Sequence, residues 1–526
     1  MARRILHDAW CAGLALGAVV VGLLGAGMAL RPQPALAAKA ERPNVIVILA
    51  DDLGYGDTGV YGSKIIKTPN IDALAADGVR FTQGYVTHPV CAPSRAAILT
   101  GRYQQRFGYE FNPVGRDRNG GLARSETMLG DIMKSAGYHT GMIGKWHLGM
   151  APGYHPVDRG FDEYFGATAG ATAFLIDPQP GDDDYTPPGS EGSFRATAKD
   201  PLPPTATVKA RAEYTRKMAP ITRGREVVEV KEYLTDAFTE DAVRFIGANK
   251  DRPFFLYLAY NAPHTPLQAT KTYLDRYRDV PDRGQRVYAA MVSALDDGVG
   301  RVRAKLKAEG LERKTVIIFL SDNGCAAYIL GACSNAPLNG YKGTHLEGGV
   351  RIPYIVAWPG VAPKGVIDNR PVSTLDIVPT AAALAGAKLP KPSDGVDLRP
   401  YLTGANRAAP NPTLYWRAGP NFAIRDGDWK MWEANIAPAG AETANRAEIT
   451  PDGTHATVSE RGQHVMLYDL KADLGEKQNV ANAKPDVVAA LQAKLKAWNA
   501  SNVAPQWTSM RQSTKKQDGQ ILQIYD

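Results

Sequence analysis

Four short apolar runs restrict this chain to one class of architecture. They read "NVIVILADD" (44–52), "HTGMIGKWHLG" (139–149), "PFFLYLAYNAPHTP" (253–266) and "TVIIFLSDNG" (315–324). Unbroken apolar stretches of this kind belong to strands covered on both faces. Helical patterns alternate with them, so the predicted class is α/β, with a large mixed, mostly parallel sheet flanked by helices. The runs stop at Asp51 and Asp52, run into Lys145 and His147, lead towards His264, and stop at Asp322 and Asn323. Open parallel sheets bind ligands just beyond the carboxyl ends of their strands. One sheet edge is therefore expected to collect acids, a base, an amide and a cation. A single ending of this type reads as an ordinary loop or cap; the repetition points to a site.

The flanks of this core read differently. Residues 1–37 combine Arg3 and Arg4, an apolar run and a small-residue "ALA" site, the pattern of a signal peptide. An uncleaved membrane anchor is the competing reading of that run. Export to the periplasm or the exterior is the expectation, with no stable membrane association after cleavage. The arginine pair does not select between export routes. The segment 38–405 is predicted to form the main domain and 406–526 a smaller C-terminal α+β unit, in which "LYWRAGPNFAIRDGDWKMWEA" and "HVMLYDLKADLGEKQNV" form antiparallel strands and "KPDVVAALQAKLKAWNA" a helix. Residues 177–231 are rich in Pro, Gly and charge, and read as an insertion or lid rather than as sheet; residues 437–462 read as loop. The formal net charge of +7 comes without a polybasic block or basic aromatic stripe, so nucleic acid is not an expected partner, while an anionic substrate is compatible.

Removal of the leader would leave Cys91, Cys325 and Cys333. The last two lie close enough in sequence to close a short loop, which leaves Cys91 as the odd residue. It stands in "THPVCAPSRAAILTGRYQ", where Pro93 suits a first helical turn and Gly101 a stop. A helix N-terminus at Cys91 would favour an anion, with Arg95 one turn on as a forked donor. A small buried hydrophobe is the plain alternative for a lone cysteine, yet a free reactive thiol is poorly suited to an oxidising compartment, so chemical modification enters as a reading.

"CAPSRAAILTGR" matches the signature of the type I sulfatases, and the chain resembles that family along essentially its whole mature length. Further matching stretches are "RPNVIVILADDLGYGD", "TPNIDALAADGVRFTQGY", "GKWHLG", "APHTP", "SDNG", "GYKGTHLEGGVRIP", "TLDIVPT" and "LYDLKADLGEKQNV". The resemblance implies an alkaline phosphatase-like fold and a sulfuric ester hydrolase in which Cys91 is oxidised to formylglycine by a dedicated maturation enzyme. It implies metal ligation by Asp51, Asp52, Asp322, Asn323 and the modified Cys91. An all-oxygen set suits Ca²⁺, with Mg²⁺ as an alternative, and disfavours zinc. Arg95, Lys145 and Lys342 would neutralise sulfate charge. The hydrated aldehyde would attack sulfur with Asp322 taking its proton, His264 and Lys342 would serve the departing alcohol, and His147 would take the second hydroxyl proton to release sulfate.

The expected substrate is a sulfated small molecule, a sulfated carbohydrate first and aryl or alkyl sulfates second, with the irregular insertions carrying specificity. A phosphonate or phosphate monoester hydrolase of the same superfamily and a non-catalytic binder of sulfated glycans are the competing functions. Some arylsulfatases place a serine on sulfate after a segment like "DRGFDEYFG"; here the chain continues "ATAGATA", which leaves the parts of Ser94 and Thr168 open. His345 has no assigned part.

Overall fold

The Asn44–Ala50 strand is buried at every position and runs through the middle of the core. Val45, Val47 and Leu49 point into one apolar cluster, and Ile46, Ile48 and Ala50 into a second one on the opposite face. This two-sided burial explains why its sequence shows no polar alternation. The structure is a computed structural model; it describes residues 42–113, 121–186, 207–438, 440, 448–449, 461–509 and 511–525. The expected signal peptide lies outside the described residues.

All four sequence-predicted strands form, and they are adjacent. Thr315–Ser321, Asn44–Ala50, Phe254–Ala259 and His139–Lys145 lie in that order and run parallel, with Glu163–Ala167 parallel beyond them. On the other side Arg351–Ala357 and Val79–Tyr85 turn antiparallel, which makes the eleven-stranded sheet of the described residues mixed. Helices Leu234–Ala248 and Arg283–Ala308 cover one face; Cys91–Thr100, Leu129–Ser135 and Ile377–Ala385 share the other cluster. Among the described residues, no helix is long and apolar enough to cross a membrane.

The structure corrects two expectations. Within 177–231, Ile221–Arg223 and Glu226–Val227 form a hairpin that extends the main sheet beyond Glu163–Ala167, and Asp183–Tyr185 pairs with Leu267–Ala269. These strands have two or three residues each, too few to show a period in sequence. Residues 187–206 of the same stretch lie outside the described residues. Within 437–462, Glu448–Ile449 pairs with the start of Arg511–Gln517, while 439, 441–447 and 450–460 lie outside the described residues.

The C-terminal part holds the antiparallel sheet Thr413–Ala418, Asn421–Asp426, Trp429–Asn435 and Gln463–Asp469, covered by helix Pro485–Asn499. It is docked through buried polar contacts: Trp416 Nε1 donates to Val86 O at 2.7 Å, and Lys430 Nζ donates to Glu347 Oε1 at 2.8 Å. Both contacts end on the segments that flank the Cys91 and Lys342 motifs.

Candidate active site

The strand ends are stitched together by backbone bonds that outlast the sheet. Asp322 N donates to Ala50 O, and Asp51 N to Ala262 O, each at 3.1 Å. Adjacent strand residues would point to opposite faces, yet Asp51 and Asp52 serve the same centre because Asp52 has φ 63° and reverses the chain there. A left-handed aspartate costs about 1 kcal/mol or more, and such strain persists only where surrounding contacts hold it. Here the Asp52 N–H donates to Asp322 Oδ1 at 3.2 Å.

Helix Cys91–Thr100 begins with Cys91 and ends at Gly101, whose φ of 66° lets its N–H reach Ala97 O at 2.8 Å. Its first turn delivers residue 91 between the two aspartates. Cys91 Sγ lies 3.6 Å from Asp51 Oδ1, 3.8 Å from Asp52 Oδ1 and 3.0 Å from Lys342 Nζ. Burial pushes the Cys91 thiol up to about 12, with Asp322 and Asp51 adding to this and Lys145 and Lys342 only partly opposing it. A thiol held protonated in this way is a poor nucleophile.

Three buried carboxylates face three cations. Arg95 places Nε at 2.9 Å and Nη2 at 2.8 Å from Asp322 Oδ2, and its Nη1 donates to Lys145 O at 2.8 Å. Lys145 Nζ donates to Asp51 Oδ2 at 2.6 Å, and Lys342 Nζ to both oxygens of Asp52 at 2.8 and 2.9 Å. Burial pushes Asp51 up to about 7, opposed by Lys145 and reinforced by Asp322. Burial also works against the Asp52 charge, but Lys342 and His264 outweigh it and hold that carboxyl well below the usual range. Asn323 Nδ2 donates to Asp52 Oδ1 at 2.7 Å, while Asn323 Oδ1 is buried with no hydrogen-bond partner. Asp51, Asp52, Cys91 and His264 bring potential metal-ligating atoms within 4.8 Å of one another; an amide oxygen and Asp322 adjoin them.

Two histidines adjoin the cluster. His264 Nδ1 lies 2.6 Å from Thr265 O, so it carries the proton and leaves Nε2, 3.6 Å from Asp52 Oδ2, as an acceptor. Burial pushes His264 down to about 3 despite Asp52, with Lys342 and Lys145 adding to the fall. His147 has φ 61°, and its N–H donates to Thr168 O at 3.1 Å. Gly170 closes over its ring: a Cβ at that position would sit 2.5 Å from Nε2. Burial, then Lys145 and Arg95, hold His147 well below its ordinary value, so it is a neutral imidazole.

The sequence profile described as Sulfatase matches residues 43–387, well over half of the chain and every residue of this centre. The chain belongs to the sulfatase family. Human arylsulfatase A is 34% identical over 474 residues, covering 86% of this chain and 87% of its own length. Mouse N-acetylgalactosamine-6-sulfatase is 33% identical over 480 residues, covering 87% and 83%. In the crystal structure of Ps i-CgsB in complex with k-i-k-neocarrahexaose, 95% of that chain superposes on 89% of this one, with a TM-score of 0.73 and 33% identity. This sulfatase is accordingly a sulfuric ester hydrolase with an alkaline phosphatase-like fold.

The sulfatase brings Asp51, Asp52, Cys91, Arg95, Lys145, His264, Asp322, Asn323 and Lys342 into one connected cluster, with His147 beside it. Ser94 Oγ is buried in the same helix without a partner; Thr168 meets His147 through its carbonyl. His345 lies elsewhere, against His88 and Trp432. Two contributors escaped the sequence reading. Asn112 Oδ1 accepts from Ala92 N at 3.2 Å and so satisfies a free N–H in the first turn of the Cys91 helix. Tyr257 is fully buried beside the Arg95, Asp322 and Asp51 charges. Neither carries a motif, and Tyr257 reads as one more apolar strand residue. Cys325 and Cys333 are bonded to each other with Cα atoms 6.1 Å apart, and Cys91 is the free cysteine of the described residues.

Proposed function

We propose that this sulfatase removes sulfate from sulfated carbohydrates, using a formylglycine made from Cys91 and a divalent cation, with Ca²⁺ preferred and Mg²⁺ as the alternative. The observation that carries the reading is the setting of Cys91 Sγ: buried, 3.0 Å from a lysine ammonium, between two aspartates, and held as a protonated thiol. Such an atom is badly placed for thiolate chemistry and well placed for an oxygen nucleophile. Converted by a maturation enzyme, residue 91 supplies a hydrated aldehyde whose hydroxyl can attack sulfur.

The donor set supports a hard cation. Asp51, Asp52, Asp322 and Asn323 offer only oxygens, and the unpartnered Asn323 Oδ1 is the kind of buried atom a cation satisfies. These residues would hold it with the oxygen of modified residue 91, and the ion would supply positive charge for the sulfate oxygens. Because the three carboxylates already match three cations, the added charge leaves the centre net positive, as an anionic ester requires.

The protein's own groups divide the remaining work. Arg95 fixes the Asp322 carboxylate, which accepts the proton released at residue 91. Burial is the largest single influence on Lys342 and works against its charge, but Asp52, Cys91, Tyr328 and Asp51 together outweigh it, so Lys342 keeps its proton; it is the charged donor nearest the nucleophile. We therefore place Lys342 as the donor to the departing oxygen. His264 orients beside it through its Nε2 lone pair, and His147 takes the proton whose loss frees sulfate.

The sugar assignment draws on the carrageenan oligosaccharide named in the Ps i-CgsB complex and on the amino-sugar sulfatases among the relatives. The leader pattern at residues 1–37 supports export to the periplasm or exterior. The decisive experiment is mass spectrometry of the Cys91 peptide from the native host, joined to rates on matched aryl sulfate, phosphate and phosphonate esters. An aldehyde mass and preference for sulfate are expected; an unmodified thiol in active enzyme refutes the mechanism. Cys91→Ala should abolish turnover in a folded protein. Cys91→Ser should retain sulfate as a stable ester, detectable as an adduct by mass.

A further inference from the structure

His88 and His345, each three residues along the chain from a member of the cluster, are both completely buried, and no protein group hydrogen-bonds any of their four ring nitrogens. The indole Nε1 of the equally buried Trp432 is in the same condition. The three rings form one group: His88 and His345 have centroids 6.4 Å apart at 77°, and His345 and Trp432 6.2 Å apart at 55°. Buried polar atoms are nearly always hydrogen-bonded, so five unmet nitrogens in one place imply an occupant.

The chemistry of the walls selects it. A neutral imidazole offers one N–H donor and one lone-pair acceptor, and an indole offers a donor only. A metal ion is disfavoured because the Lys430 charge bears on His345 and an indole N–H cannot ligate. An anion finds only neutral donors. Water fits: one molecule can donate to the lone pair of each imidazole and accept the Trp432 N–H, the usual three bonds of an internal water, and the two remaining imidazole N–H groups call for further water.

We propose that at least one ordered water is bound between His88, His345 and Trp432, and that through it the two histidines are positioning residues for the catalytic site. His88 precedes Cys91 by three residues, and His345 follows Lys342 by three. The two segments are already latched by Gly343 N donating to Pro89 O at 2.9 Å. A water between the rings adds a second tie between the same two segments. It sets how closely Lys342 Nζ approaches residue 91, a separation of 3.0 Å to Sγ. Trp432 contributes the third wall from the C-terminal sheet, two residues from the Lys430 that holds Glu347.

The positioning role rests on the sulfatase chemistry proposed above; the water does not. The test is a high-resolution crystal structure of the mature, full chain, paired with kinetics on an aryl sulfate. Expected are ordered water density among the three rings without an anomalous metal signal, and a fall in kcat of about tenfold in His345→Phe and His88→Leu at little change in KM, as small misplacements of reacting groups produce. His345→Gln, which retains a donor and an acceptor, should keep most of the rate. A dry gap, a metal peak, or apolar variants with wild-type kcat would overturn the proposal. Should the apolar variants fail to fold, a His345→Gln enzyme that folds, keeps the water and still loses tenfold in kcat also overturns the positioning role. Ordered water in a wild-type protein that releases no sulfate refutes the catalytic reading and supports the hydration site.

Discussion

Replacing Asp322 with alanine removes one carboxylate from the two tasks proposed for it, metal ligation and proton acceptance, and its contacts set the cost to the fold. Both of its contacts to Arg95, at 2.9 and 2.8 Å, run between side chains with no solvent exposure. Breaking a buried ion pair from one side costs about 3–5 kcal/mol, because the surviving charge stays buried. The Asp52 N–H also loses its acceptor, a further penalty of about 1–3 kcal/mol where nothing replaces it. Against this, Arg95 keeps the Lys145 carbonyl at 2.8 Å and Asp51 at 3.7 Å, and Asp51 is relieved of a like charge that pushes its carboxyl up. The net loss should therefore lie near the low end, about 3–4 kcal/mol. The assay is thermal melting of mature wild-type, Asp322→Ala and Asp322→Asn proteins in chelator and again in Ca²⁺, with turnover measured alongside. Alanine should lower the melting temperature in chelator, abolish the calcium-induced rise and cut kcat by roughly 10²-fold or more. Asparagine, which keeps the acceptors, should recover part of the stability and little of the rate. An alanine variant with unchanged melting, the same response to calcium and near-normal turnover would refute the assignment of Asp322 to both tasks.

Chelation should inactivate the enzyme, and Ca²⁺ or Mg²⁺ should restore sulfate release better than Zn²⁺, since the donors are hard oxygens; preferential rescue by zinc argues for a different ligand set. Burial pushes His88 down to about 3 from 6.5, so between those values the unfolded chain binds the extra proton. Its contribution is complete above about pH 6.5 and is lost as pH falls towards 3, by at most about 1.4 kcal/mol per pH unit. Urea titrations from pH 7 to 4.5 should show a shallower acid loss in His88→Asn than in wild type, and an equal slope contradicts a buried neutral imidazole. Shortening the 177–200 segment should alter KM for sulfated sugars more than turnover of a small aryl sulfate, as remote binding matters most for a poor leaving group; equal effects on both substrates would exclude the segment as a specificity element.

The strands that build the sheet edge were legible because two-sided burial writes itself as unbroken apolar sequence, and Asn44–Ala50, Phe254–Ala259 and Thr315–Ser321 are buried at every position. The helix at Cys91 was legible from Pro93 and Gly101. His264 was legible from the end of its strand, while Lys342 entered through motif resemblance, since nothing in its spacing brings it to residue 91. What stayed hidden was long-range or conformational. The left-handed turns at Asp52 and His147 use neither glycine nor asparagine, and are imposed by contacts made after the chain folds. The His88–His345 and Glu347–Lys430 partnerships join distant segments with no local trace. The terminal hairpin Arg511–Gln517 and Gln520–Tyr525 did leave a signal: Asp518 and Gly519 both have positive φ at a tight Asp-Gly turn. The polar first strand, "RQSTKKQ", obscured it.

The buried docking of the C-terminal sheet has an evolutionary consequence. Lys430 and Trp416 reach across to Glu347 and Val86, on the two segments that carry Lys342 and Cys91, and Arg417 pairs with the buried Glu110. A sheet tied in this way is not a cassette that can be exchanged between relatives to borrow a new specificity. A transplanted sheet that lacked Arg417 and Lys430 would leave Glu110 buried without its cation and Glu347 with Arg351 alone, so any exchange must carry these two cations with it.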